Sequence, residues 1–178
     1  ELRPFLGSLT GITVRYAAHA GAGSGGTNLI KPLYHVAWLA SRLGLKVGAA
    51  LAPAAADTNG SASDDDDLGT PLAGELRAGR RRVEVAVTPM LSPMPSGTTL
   101  TVELSARRRG EALEVVVSAE AEAVMVRASL DGKSMPVRRF MAPRLTEVEL
   151  LAETVESVGP DPVVVGALLA AADLVRTA

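Results

Sequence analysis

The sequence contains no cysteine, which excludes disulfide frameworks, thiolate nucleophiles, zinc knuckles and iron–sulfur ligation. It has two histidines, His19 and His35, too few for a histidine-built metal centre or relay. Aromatic residues make up only 3% of its 178 residues. The 47% hydrophobic content therefore comes mainly from Ala, Val and Leu, a globular composition. No basic excess is present: the net charge is −2, so neither nucleic acid nor a membrane surface is an expected partner. The longest apolar stretch, Val163 to Val175, is shorter than a bilayer span and includes Asp173. No basic segment followed by an apolar leader is visible, so the expected location is the cytoplasm. The chain opens on Glu1, without a methionine and close to a strand pattern, and reads as the C-terminal domain of a longer protein.

What is present falls into ordered blocks. Ile12, Val14 and Tyr16 alternate with Thr13 and Arg15 as in a half-buried strand. A glycine-rich loop, Gly21 to Gly26, follows it. A helix is then predicted from about Asn28 to Leu43, with Thr27 or Asn28 as cap, Pro32 near its first turn and Gly44 as its stop. Residues 48–79 collapse into Ala, Pro, Gly, Ser and Asp, including the run Asp64 to Asp67. Their composition predicts a disordered insertion or long surface loop. Alternation resumes at Val83–Val87, Leu100–Leu104 and Leu113–Val117. A hairpin is expected between about Ala123–Leu130 and Ser134–Phe140 through Asp131-Gly132. Thr146 and Glu149 form a capping box for a helix that Gly159-Pro160 ends, and Asp161-Pro162 starts a final helix. The predicted fold is a single α+β domain over residues 1–178, an antiparallel meander with helices packed on one face as a two-layer sandwich.

Gly21, Gly23 and Gly26 match GxGxxG between a strand and a helix, the spacing that lets backbone approach a pyrophosphate. The acid that should hold a ribose about twenty residues on is missing. Asp57, the first acid after the loop, comes about thirty residues later. A flexible Gly- and Ala-rich connection explains the loop equally simply. On the first helix Lys31, His35, Trp38 and Arg42 share one face, opposite Leu29, Leu33, Val36, Ala40 and Leu43. A basic stripe with the sole tryptophan suits a protein interface. Alternatively, Trp38 folds onto the domain's own core and the charges are solvated. Arg80 to Arg82 enters one strand and Arg107 to Arg109 leaves the next. If those strands are neighbours, both triplets meet at one end, with Arg81 and Arg108 at their centres. A partner's acidic patch, a phosphorylated metabolite or the Asp64–Asp67 run would answer that charge, and an ordinary solvated strand end is the plainer account. No acid or nucleophile stands at catalytic spacing from either histidine, and Glu120 with Glu122 reads as a solvated pair. No catalytic residue, metal ligand or cofactor is assigned, and the chain is not expected to be an enzyme.

The segment Val36-Ala37-Trp38-Leu39-Ala40-Ser41-Arg42-Leu43-Gly44 resembles the GWLASRLG helix of the OpcA family, the bacterial glucose-6-phosphate dehydrogenase assembly proteins. The tail from Leu150-Leu151-Ala152-Glu153 through Gly159-Pro160-Asp161-Pro162 resembles that family's C-terminal segment, and the order of blocks fits. Val36-Ala37 departs from the glycine the family usually carries before the tryptophan. The resemblance implies a non-catalytic factor whose partner is glucose-6-phosphate dehydrogenase, promoting its assembly and activation in the pentose phosphate pathway. Lys31, His35, Trp38, Arg42, Arg81 and Arg108 are then the candidate partner-binding residues. The alternative is a nucleotide- or sugar-phosphate-binding domain that uses the Gly21–Gly26 loop and an arginine cluster.

Overall fold

A computed structural model describes residues 2–19, 28–54, 68–120, 122–142 and 161–176. Along the chain come α1 (Arg3–Leu6), β1 (Leu9–Ala18), α2 (Ile30–Arg42), β2 (Lys46–Pro53), β3 (Leu72–Ala78) and β4 (Arg81–Leu91). They are followed by β5 (Thr99–Arg108), β6 (Glu111–Ala119), β7 (Ala123–Leu130), β8 (Lys133–Ser134), β9 (Arg138–Met141) and α3 (Pro162–Val175). The strands form one nine-stranded sheet in the order β2-β3-β4-β1-β5-β6-β7-β8, with β9 also paired to β7. The domain is α+β and its sheet mostly antiparallel, as expected, yet it is larger than a simple meander. β1 lies between β4 and β5, parallel to the former and antiparallel to the latter. Alternation along a strand specifies which side chains share a face, and it leaves the neighbouring strand open.

The prediction of a disordered insertion over residues 48–79 is corrected at both ends of that span. Strand β2 pairs antiparallel with β3, and β3 with β4, so the sheet extends two strands past β4. β3 contributes Leu76 to the core, and Leu68 just ahead of it is buried as well. Strand β2, Lys-Val-Gly-Ala-Ala-Leu-Ala-Pro, is an edge strand with register shifts, and most of its side chains are exposed or half-buried. Its Ala and Gly carry little strand propensity, so backbone pairing to β3 fixes it rather than side-chain pattern. Residues 55–67, with the Asp64–Asp67 run, lie outside the described residues.

Local signals place the helices. Asn28 Oδ1 accepts the Ile30 N–H at 3.0 Å, and Gly44 at φ +63° follows the end of α2. Asp161 Oδ1 accepts the Val163 N–H at 2.8 Å and Pro162 opens α3. The predicted helix with its Thr146–Glu149 box falls outside the described residues. Asp131 and Gly132, both at positive φ, make the expected hairpin turn. One buried cluster joins Ile12, Val14 and Tyr16 of β1 and Val83, Val85 and Val87 of β4 to Val36, Ala37 and Ala40 of α2. Leu174 brings α3 into the same cluster. The two helices cross closely, for a Cβ added at Gly166 would sit 2.6 Å from Ser41 Oγ. The other face of the sheet is polar, with Arg15 and Glu103 paired at 2.6 Å and Glu75 taking both Arg77 (2.6 Å) and Arg82 (3.4 Å).

Candidate functional site

Apolar residues continue on the helix-bearing face of the sheet beyond the helices. Val14 lies opposite Val102, Val102 opposite Val117 and Val117 opposite Val126, one row across β1, β5, β6 and β7. Residues directly opposite in a sheet share a face, so the row forms a floor. Its β5–β7 part is half-buried. Above it stands α2 from Lys31 to Leu39, and between them lies a cleft of about 380 Å³. Lys31, His35, Trp38 and Leu39 form the helix wall; Thr99, Val102, Leu104, Val117 and Val124 are among the sheet residues lining the other side.

The polar groups of this apolar cleft are few and ordered. His35 Nδ1 lies 2.9 Å from the Lys31 carbonyl oxygen, one helical turn back, and 3.0 Å from Thr99 Oγ1. With its proton, Nδ1 donates to these oxygens; without it, Nδ1 accepts from the Thr99 hydroxyl. Either way Nδ1 is engaged, and no described residue bonds to Nε2. Tyr34 packs edge-on against the imidazole, ring centroids 6.3 Å apart. Lys31 is exposed, and Trp38 is 39% exposed at the rim. Among the described residues, no three His, Asp or Glu side chains are grouped to hold a metal ion. A second hollow of about 480 Å³ on the opposite face is lined by small and polar residues such as Thr13, Gly74 and Ser105, with Glu84 its one charge.

Three of the four stripe residues, Lys31, His35 and Trp38, therefore converge on the cleft, while Arg42 is exposed in the last turn of α2 and does not line it. The arginine triplets lie elsewhere. β4 and β5 are separated by β1, so the condition that these strands be direct neighbours is not met. Their arginine ends nevertheless coincide: β1 runs parallel to β4 (Gly11 opposite Glu84), and the Arg107 N–H donates to the Ser8 carbonyl at 3.1 Å. β5 starts at Thr99 in the cleft and ends at Arg108, about 30 Å away at strand rise. Arg81 and Arg108 thus cannot touch a small ligand held by His35. The Gly21–Gly26 loop lies outside the described residues, but its flanks, His19 and Asn28, belong to the cleft end of β1 and α2. His19 Nε2 is 3.0 Å from the Met94 carbonyl oxygen in the β4–β5 connection. Among ionisable groups, burial raises the Tyr16 hydroxyl above its ordinary value of 10.0. Thr99 and the β5–β7 floor were not selected from the sequence. Their signal was the apolar alternation of three strands, which is silent on their place beside β1.

No protein-family model matches the chain, and no curated protein does. Among solved structures, a dehydrogenase (MviM) from Clostridium difficile is similar at 11% identity and a TM-score of 0.41, covering 94% of this chain and 54% of that one. A Gfo/Idh/MocA family oxidoreductase from Vibrio cholerae is similar at 12% identity and a TM-score of 0.41, covering 95% of this chain and 51% of that one. The chain spans about half the length of these structures. The expectation of a non-enzymatic assembly factor is corrected here: the two solved structures named above are oxidoreductases. At this identity and TM-score, the likeness carries no cofactor, substrate or residue role to this chain. Among the described residues, no helix is long and apolar enough to cross a membrane.

Proposed function

We propose that this chain is a cytoplasmic ligand-binding domain that takes a nucleotide or sugar phosphate in the cleft between α2 and β5–β7. The observation that carries the reading is the His35–Thr99 contact at 3.0 Å, set beside Lys31 in an otherwise apolar cleft. Ligand sites combine apolar walls with a few placed polar groups. Here the Lys31 ammonium supplies the charge for a phosphate and His35 Nε2 hydrogen-bonds a hydroxyl or ring nitrogen. Trp38 offers a flat face to a base or the apolar side of a sugar. In this two-layer arrangement the helices cover one half of the sheet and leave the other as the floor. At about 380 Å³ the cleft is near the low end of ligand pockets, which suits a mononucleotide or sugar monophosphate better than a dinucleotide. The charge for phosphate comes from Lys31, since the arginine triplets are too far away.

Trp38 is the only tryptophan, so selectively excited tryptophan fluorescence reports on the cleft. Titration with AMP and with glucose 6-phosphate is expected to give a saturable change for at least one. Lys31→Ala should weaken that binding about tenfold, the value of one charge-assisted hydrogen bond. Absence of a saturable change with both ligands would overturn the reading, and so would binding indifferent to Lys31→Ala.

A further inference from the structure

The end of the sheet remote from the cleft concentrates positive charge in a chain whose net charge is −2. Arg80, Arg81 and Arg82 lie at the β3–β4 turn, and Arg107, Arg108 and Arg109 at the β5–β6 turn. Only the start of β1 separates the two sets, so their backbones stand about 10 Å apart, two strand spacings. Strand alternation puts Arg81 with Val83 and Arg108 with Ala106, on the side of the sheet that faces the helices, and both are half-buried. Glu75 accounts for Arg82 at 3.4 Å. Among the described residues the other five arginines have no ion pair within 4.0 Å. Arg81 Nε is buried with no hydrogen-bond partner there. A buried cationic donor without an acceptor is costly, and an incoming oxyanion relieves it.

We propose that this arginine end is a docking surface for an acidic protein segment. The planar guanidinium fork matches carboxylates bidentately, and the use of arginine alone in both triplets fits that recognition. A separation of about 10 Å corresponds to three residues of extended chain, so one acidic run can reach both turns. Nucleic acid fits less well: Phe5, the aromatic residue of α1 at this end, is buried, which leaves no stacking platform. The chain's own acidic run does not start here, because its flanks, Ala54 and Pro71, join at the opposite end of β3 (2.8 Å).

The test is fluorescence anisotropy of a labelled deca-glutamate peptide with the 178-residue chain, at low and at physiological salt. Saturable binding that weakens with salt is expected. Combining Arg81→Ala with Arg108→Ala should raise Kd about tenfold or more, whereas Arg138→Ala combined with Arg139→Ala, which removes the same charge from β9, should leave it within about twofold. If the double variant does not fold by circular dichroism, the exposed pair Arg107→Ala and Arg109→Ala replaces it, with at least a threefold loss expected. Absence of peptide binding at low salt, or an equal loss in the variant combining Arg138→Ala with Arg139→Ala, overturns the proposal. Tighter binding of a ten-residue oligothymidylate than of the peptide also overturns it, in favour of a nucleic-acid surface.

Discussion

Thr99 Oγ1 and His35 Nδ1 lie 3.0 Å apart, joining the first residue of β5 to the middle of α2 across 64 positions of sequence. The contact ties the helix to the sheet at the mouth of the cleft and fixes the imidazole plane. Thr99→Val keeps the shape and removes the hydroxyl. It is expected to lower stability by about 1 kcal/mol, a typical net hydrogen-bond contribution. It should also weaken the ligand change at Trp38 several-fold, because Nε2 is no longer held in one direction. Urea midpoints and the fluorescence titration measure the two effects separately. A variant as stable and as tight-binding as the parent would show the contact to be incidental.

The packing of α2 makes a second prediction. Val36, Ala37 and Ala40 are fully buried and Leu33 only partly, so the core anchor is Val36. Val36→Ala removes two methylene equivalents and should destabilise by about 2 kcal/mol, the cavity term included. Arg42→Ala, exposed in the last turn, should change stability by less than about 0.5 kcal/mol. Chemical denaturation of both variants and of Leu33→Ala checks the ranking, which fails if Leu33→Ala is the most destabilised.

Much of this was legible, for reasons specific to each element. Strands β4 to β7 repeat with period two and α2 with period 3.6, and Asn28, Gly44, Asp131-Gly132 and Asp161 all act where their chemistry places them. Strand β2 was hidden because Ala and Gly at an exposed edge carry no period, and its partner β3 is a short strand containing Gly74. The site was half visible. Helical spacing put Lys31, His35 and Trp38 on one face, but the floor opposite them depends on β1 pairing with β5, a contact set by tertiary packing. Arg42 keeps the same spacing and misses the cleft, which ends before the last turn of α2.

Gly97 supports the site from the β4–β5 connection. It is buried at φ +80°, and a Cβ built there would lie 1.9 Å from the carbonyl oxygen of Asn28, whose side chain accepts the Ile30 N–H at the start of α2. Gly97→Ala therefore combines a left-handed conformation that alanine disfavours with a clash against backbone. A loss of about 2–4 kcal/mol is expected, with α2 displaced at its N-terminus and Trp38 emission shifted even without ligand. Thermal melting and the emission maximum decide the matter; a near-wild-type melt would mean that the loop moves freely relative to the helix.

Tyr16 supplies a pH dependence whose sign follows from its burial. The side chain is 2% exposed on β1, and desolvation penalises the phenolate, so its pKa in the folded chain is above the ordinary value of 10.0. Between those two values the unfolded chain has released the proton and the folded chain still holds it. The unfolded state then binds fewer protons, and stability falls as pH rises. The contribution is fully present below pH 10.0 and is lost as pH climbs through the folded-state value. The informative quantity is the difference between the parent and Tyr16→Phe, which cannot ionise. Urea midpoints measured from about pH 8 to 11 should converge or cross, the parent losing stability faster than the variant above its ordinary phenol range. Parallel curves would mean that the Tyr16 hydroxyl reaches water in the folded chain, and that the β1–β5 junction beside Thr99 is open to solvent.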